Sequence, residues 1–420
     1  MSPRPQCSQY ELRQLRFARS KCGWAPAAPH RFSGSRVKAA VVIGAMLTFV
    51  LAGWAVPVSA ADDPGQQRLW WFLNPPLGNP DITKIVIDPN NDSLWYVTSW
   101  SGGLYITRNA SGSWEQHLSG NVGAVAIDPR FTFAVYASSG SDLYWSVDSG
   151  VTWNLLFSFP NPIPGVPDSS TFIDSIMVSS VDSAVVVGLS SMFHSTRVYA
   201  SEFDGGTVVW NPVWESPEGL HIWSIAEDPG NGNWFFSTED NDHTVNPAVM
   251  RSTDRGATWQ EMAPLAGYLT DGHGLNLAVH PATRRVYFLT ESSTLYTSDD
   301  SGDTWSPGIY VDFGNALLLD PACPNRVFGG ELVRGLKPGG AYFSQTGGQS
   351  FWWEGPSDST ISSLALMSAA TAVVAVASGA GFWYQDFGTG IPCTDDLPFF
   401  ADGFNIEGDL RRWSTVVGGP

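Results

Sequence analysis

The sequence predicts an all-β protein, a seven-bladed β-propeller of four-stranded blades, on three observations. Three octapeptides share one design, S-x-D-x-G-x-T-W, running from Ser146 to Trp153, Ser252 to Trp259 and Ser298 to Trp305. A second phrase, an apolar run ending in Asp-Pro or a variant of it, recurs seven times at intervals of 40 to 52 residues, the length of a four-stranded unit. The composition, with 43 Gly, 29 Pro, 19 Trp and only 15% charged residues, suits many short strands joined by tight turns.

The anchors of the second phrase are Asp88, Asp128, Ser179, Asp228, His280, Asp320 and Met367. In each unit the apolar run before the anchor reads as a buried inner strand, because a strand covered on both faces needs no polar alternation. A second strand follows the turn, as in Val135 to Ala137 and Val286 to Phe288. A variable loop leads to a third strand, seen in Leu104-Tyr105, Leu143-Tyr144, Leu295-Tyr296 and Ala341-Tyr342. The octapeptide then turns the chain into the fourth. Relics of it stand at Thr107 to Trp114, where Gly112 is displaced by one place, and at Ser344 to Phe351, where Thr346 takes the Asp position. The third unit, around Ser201 to Trp210, has almost lost it. The seventh unit supplies three strands, ending near Asp386, so Leu69 to Phe72 is expected to be its outer strand and to close the ring.

Asp and Gly are turn formers, the first because its carboxylate bonds nearby amides and the second because it tolerates positive φ. The Trp that follows restarts a strand and buries a large ring. On these residues the repeat resembles the Asp-box of sialidase-like and sortilin-like propellers. The resemblance implies that Asp148, Gly150, Asp254, Gly256, Asp300 and Gly302 hold turns at the blade periphery. It implies also that Trp153, Trp259 and Trp305 pack between blades, away from any active centre. A sialidase would need an Arg-Ile-Pro segment, three arginines on inner strands and a Tyr/Glu pair. The chain has no Arg-Ile-Pro, and Arg108, Arg130, Arg251, Arg255, Arg284 and Arg285 fall in turns or outer positions. A xyloglucanase-like enzyme would carry Asp-Val-Gly-Gly after the second strand of its first blade, where this chain has Ser99-Trp100-Ser101-Gly102-Gly103. The photosystem II assembly factor type carries a basic patch, which an acidic chain contradicts. The resemblance therefore covers residues 68–390 as fold and brings no active site.

Three segments are expected: a signal peptide over residues 1–60, the propeller over 61–392, and a C-terminal extension over 393–420. Seven basic residues from Arg13 to Lys38 precede an apolar run from Ala39 to Val56, and Val58-Ser59-Ala60 reads as a cleavage site. The run is also long enough for a membrane anchor. The Gly and Thr in the run and its Val-Ser-Ala end favour cleavage near Ala60 and secretion, with no membrane insertion afterwards. The whole chain has a formal charge of −18; residues 61–420 keep 14 basic and 39 acidic residues, a charge of −25. Such a surface repels phosphate backbones, so nucleic acid is not an expected partner. Cys323 and Cys393 are the two cysteines left after residue 60, and in an oxidising compartment a disulfide between them is expected, with two lone thiols as the alternative. Their spacing fits no zinc motif, and no metal or cofactor is expected. The extension contains Asp402-Gly403-Phe404 and Gly408-Asp409, which resembles a tail found on secreted bacterial proteins.

A propeller's function sits at its central mouth, lined by loops entering the inner strands and by second-to-third strand loops. The entering positions are Asp81, Asn121, Asp174, His221, His273 and Asn315. The other loops bring Trp100, His194, the run Glu239-Asp240-Asn241-Asp242-His243, Glu291 and Glu331. Asp174, His221, His273, Glu239, Asp242 and His243 are the candidate ligand-binding residues. If the chain is an enzyme, Asp174, Asp271 and Glu291 are the candidate carboxylates, since a glycosidase needs two within about 5–9.5 Å. The reading is a monomeric, secreted binding or interaction module for an unidentified glycan or protein, with a glycoside hydrolase as the alternative.

Overall fold

The computed structural model describes residues 57–58, 70–76, 81–160, 171–191, 196–204, 207–216, 220–240, 249–262, 274–290, 292–331, 339–356, 359–367, 372–377 and 381–386. These form seven antiparallel sheets and, among the described residues, no helix. Blade 1 runs Ile82–Asp88, Asn91–Ser99, Gly103–Thr107 and Glu115–Leu118 from inside to outside. Blade 2 is Val125–Ile127, Val135–Ser139, Asp142–Ser146 and Asn154–Ser158. Blade 3 is Thr171–Val178, Val185–Ser191, Thr196–Asp204 and Thr207–Ser216. Blade 4 is Leu220–Asp228, Asn233–Asp240, Val249–Ser252 and Gln260–Glu261. Blade 5 is Gly274–Val279, Val286–Thr290, Thr294–Ser298 and Ile309–Tyr310. Blade 6 is Ala316–Leu319, Val327–Glu331, Gly340–Ser344 and Trp352–Gly355. Blade 7 is Ile361–Leu366, Ala372–Ala377 and Gly381–Asp386, with Trp70–Leu73 as its outer strand.

The ring closes as the sequence predicts, through Trp70↔Gln385, Trp71↔Tyr384, Phe72↔Trp383 and Leu73↔Phe382. Trp70 is buried, and its Nε1 donates to the Glu354 carbonyl of blade 6 at 2.7 Å. Pro57–Val58 pairs in turn with Trp71 and Trp70, a fifth strand that cleavage near Ala60 would remove.

Second strands are buried along their whole length in blades 3, 5, 6 and 7, because a neighbouring blade covers each face. Seven hydrophobic clusters result, one at each blade junction. Polar bonds lock the same junctions near the axis. Ile173 N donates to the Gly140 carbonyl at 2.9 Å between blades 3 and 2. Ile222 N donates to Ser190 Oγ at 3.0 Å, and Ser224 Oγ to the Leu277 carbonyl at 2.8 Å. Asn276 Nδ2 reaches the Asn315 carbonyl at 2.9 Å, and Asn315 Nδ2 reaches the Ile361 carbonyl at 2.7 Å. Ser362 Oγ donates to the Ile82 carbonyl at 3.3 Å and joins the last blade to the first.

In blades 1 to 6 the side chain of the anchor residue caps the first turn. Asp88, Asp128, Asp228 and Asp320 each accept the amide two residues on, at 2.8 to 2.9 Å. His280 does the same with Nδ1, accepting from Ala282 N at 3.1 Å, while its Nε2 donates to the Asp320 carbonyl. Cys323 lies buried in the blade 6 turn and takes part in a disulfide. The expected partner, Cys393, lies outside the described residues.

Each octapeptide is a self-contained turn. In blade 2, Ser146 Oγ accepts from Gly150 N at 2.8 Å and donates to Asp148 Oδ1 at 2.7 Å. Asp148 accepts Thr152 N at 2.8 Å and Thr152 Oγ1 at 2.6 Å. Asp254 and Asp300 repeat the pattern with Thr258 and Thr304. Gly150, Gly256 and Gly302 sit at φ of 80°, 91° and 92°, where a side chain is strained. In the blade 1 relic Asn109 stands in for Asp and Ser111, at φ 73°, for Gly, so the turn survives its displaced glycine.

Bonds from Thr152 and Thr304, foremost their hydroxyls, hold the carboxyls of Asp148 and Asp300 at about 2, against an ordinary value of 3.8. A depressed carboxyl contributes stability above its unfolded value and loses it as pH falls through the folded one. Asp148→Ala is therefore expected to lower the melting temperature at pH 7 by a margin that shrinks between about pH 4 and pH 2. Asp148→Asn, which copies the amide that Asn109 supplies in blade 1, should lose less at pH 7. A thermal-denaturation series across that range checks both, and a pH-independent margin contradicts the turn-holding role. Non-reducing peptide mapping is expected to recover Cys323 linked to Cys393; recovery of Cys393 as a free thiol contradicts that pairing.

Candidate functional site at the central mouth

The inner strands of blades 1, 3, 4, 5 and 7 share a β-bulge at Thr83, Asp174, Trp223, Leu275 and Ser362. Each lies five residues before its anchor, so the repeat places one bulged residue per blade at a common level. In blade 2 that position is Gly123, and the regular strand begins only at Val125. A Cβ on Gly123 would lie 2.5 Å from the Ile173 carbonyl, so blades 2 and 3 approach there backbone to backbone.

Past this narrow blade, Lys84 of blade 1 reaches blade 3 and donates to the Asp174 carbonyl at 2.7 Å. Burial pulls the Lys84 ammonium below its ordinary value, and the nearby Asp174 charge opposes that pull. Asp174 is buried, and its Oδ2 lies 3.1 Å from His221 Nδ1 of blade 4. The His221 ring stacks on Trp223 at 5.6 Å and 18°, and meets Phe172 at 5.6 Å. Phe172 meets Trp100 edge-on at 5.2 Å. Trp100, Phe172, His221 and Trp223 thus form one arc of rings across blades 1, 3 and 4, with half-buried indoles at its two ends.

Of the sequence-predicted residues, the structure brings together Asp174, His221 and Trp100. Asp174 and His221 lie within the inner strands, not in the loops that enter them. Glu239 is placed by the backbone alone, opposite His221 in the blade 4 ladder. Asn315 is a junction residue, occupied with Ile361 and Asn276. Glu331 is buried at the end of the second strand of blade 6. His194, Asp242, His243, Asp271, His273 and Glu291 lie outside the described residues. Among the described residues no group of three His, Cys, Asp or Glu is placed to hold a metal. Sequence reasoning missed Lys84, Phe172 and Trp223. The signal for Lys84 was present: it is the one basic residue in the inner strand of blade 1 and one of two lysines after residue 60.

No known family profile matches this chain. Curated proteins do. The chain is similar to xyloglucanases. That of Hypocrea jecorina is 26% identical over 54% of this chain and 33% of its own length. That of a Paenibacillus species is 27% identical over 52% of this chain and 25% of its own. The chain thus spans about a third or less of the curated relatives it matches. Among solved structures, an ancestral GH74 enzyme gives a TM-score of 0.56 at 16% identity, covering 76% of this chain and 47% of its own. YCF48 bound to a D1 peptide gives 0.53 at 14% identity, covering 78% of this chain and 99% of its own. At these identities the two structures share the fold.

Lys84→Met should destabilise the propeller by about 1.5–3 kcal/mol, the worth of a hydrogen bond from a charged donor. Chemical denaturation checks this, and an unchanged midpoint would mean that the Lys84–Asp174 contact does not hold blades 1 and 3 together.

Proposed function

We propose that this chain is an exported glycan-binding propeller that holds an oligosaccharide at its central mouth without cleaving it. The observation that carries this reading is the arc of rings ending in the half-buried Trp100 and Trp223. Flat apolar faces beside a few fixed polar groups suit a sugar, which presents C–H surface on its faces and hydroxyls at its edge. The xyloglucanase relatives make xyloglucan the first ligand to try. Against cleavage, Trp100 stands in the loop where the xyloglucanase pattern calls for a carboxylate. Asp174 is moreover engaged by a histidine and lies beside a lysine.

A hydrolase is the second reading, favoured by the shared naming of those relatives. It would use Asp174 with Asp271 or Glu291.

Affinity electrophoresis on xyloglucan, with a reducing-end assay on the same protein, tests the proposal. The expected result is retardation without released sugar, weakened at least tenfold, or about 1.4 kcal/mol, in Trp100→Ala and Trp223→Ala. Sugar release that Asp174→Asn abolishes would establish the hydrolase. Neither retardation nor release, across a panel of glycans, would contradict both readings.

A further inference from the structure

Antiparallel alternation puts the first turn and the octapeptide of every blade at the same end, so both lie on the face opposite the mouth. On that face blades 2 and 3 carry an apolar strip. Nine large hydrophobic side chains are exposed among the described residues, and five of them stand here. Phe131 and Phe133 lie on the first turn of blade 2, Val147 and Val151 in its octapeptide, and Val181 on the first turn of blade 3. Hydrogen bonds join these segments into one surface. Ser149 N donates to the Phe133 carbonyl at 2.9 Å and fastens the octapeptide to the turn. Arg130 Nη1 donates to the Val181 carbonyl at 3.2 Å and fastens blade 2 to blade 3. The two phenylalanine rings stand 5.9 Å apart, each about half exposed. Apolar residues gathered in one sector mark a contact surface.

The strip is also basic, on an acidic chain. Every described arginine except Arg108 and Arg130 is paired with a carboxylate. Those two are exposed and flank the strip. Arg108 Nη2 donates to the Ser149 carbonyl at 3.1 Å, and the Arg130 guanidinium lies 5.5 Å from the centre of the Phe131 ring. Apolar rings between two guanidiniums without counter-ions call for an occupant that is aromatic and acidic at once.

The chain contains such a segment. Residues 394–409 read Thr-Asp-Asp-Leu-Pro-Phe-Phe-Ala-Asp-Gly-Phe-Asn-Ile-Glu-Gly-Asp, with five acids, three phenylalanines and no base. It departs from the right face, because the third strand of blade 7 ends at Asp386, opposite Ala372 at the first-turn end of the sheet. Neighbouring sheets pack about 10 Å apart, so near the axis blade 2 lies roughly 20 Å from blade 7 and roughly 30 Å from blade 6. Thirteen residues lead from Asp386 to Phe399, an extended reach of about 43 Å. A bond from Cys393 to Cys323 in the blade 6 turn still leaves eleven residues to Phe404, about 36 Å.

We propose that residues 394–409 dock on this strip within the same molecule, their phenylalanines against Phe131 and Phe133 and their carboxylates on Arg108 and Arg130. The segment then crosses beneath blade 1, over the junction where the ring closes. A short tether holds it near the strip at about millimolar effective concentration, which favours the chain's own segment over a second copy. The proposal is independent of what the mouth binds.

The test is photo-cross-linking of the full chain carrying benzoylphenylalanine in place of Val151, the most exposed of the five side chains, which leaves both rings intact. Irradiation should join position 151 to residues 394–409 of the same chain, in a yield that dilution does not change. The yield should fall by roughly threefold or more with Arg108→Glu and Arg130→Glu together. It should fall as far with Asp395→Arg and Asp396→Arg, which lie outside the blades, and recover when the two pairs of reversals are combined. The same probe in place of Tyr310, exposed on blade 5, should not reach the segment. A cross-link to a second chain, or a yield that falls on dilution, would make the strip an interface between copies and overturn the proposal. Absence of any cross-link to residues 394–409 overturns it, as does an equal yield from position 310 or a yield indifferent to charge reversal.

Discussion

Ring closure governs this structure. A propeller blade has two faces to cover and cannot bury either alone, so each of the seven sheets depends on both neighbours. The clusters at the seven junctions make that dependence concrete, since every one draws residues from two blades. The junction between blades 7 and 1 joins the end of the chain to its beginning. It holds because Trp70–Leu73, more than 300 residues from its partner in sequence, completes the last sheet. Without that strand the third strand of blade 7 would present a free edge, and the convergence of inner strands that builds the mouth would lose its constraint.

The sequence made the fold legible to a degree that it did not make the site. Seven anchors, three intact octapeptides and an orphan Trp-Trp-Phe segment determine blade number, strand order and the mode of closure, because turn chemistry is local and repeats. The site depends on departures from the repeat. Asp174 and His221 were legible because a carboxylate and an imidazole stand out near the start of an inner strand. Trp223 and Phe172 were not, because an aromatic residue in an apolar strand reads as core. Only the bulge, a property of strand pairing, takes Trp223 out of the regular alternation. Lys84 was overlooked because its partner is a backbone carbonyl two blades away, and no motif encodes such a contact.

The same contrast explains the face opposite the mouth. The loss of the octapeptide in blade 3 was visible as a missing motif, but its consequence was not, since what it uncovers belongs to blade 2. An absent turn in one repeat leaves a ring of the preceding one, Tyr136, half-buried where its counterpart Tyr96 is fully buried. The propeller tolerates the loss because Trp210 still packs on Phe157 and Phe159, at 5.8 and 5.1 Å, and keeps that junction closed at the periphery. Stability and accessibility are thus separated within a single junction.

Hydrogen exchange tests ring closure most directly. The amides of Trp70–Leu73 that bond the third strand of blade 7 should exchange as slowly as those of Ala372–Ala377 in the middle of that blade, because both are released only when the ring opens. Exchange of Trp70–Leu73 within the first labelling interval, with Ala372–Ala377 still protected, would contradict the account by showing that the first segment does not hold the last blade.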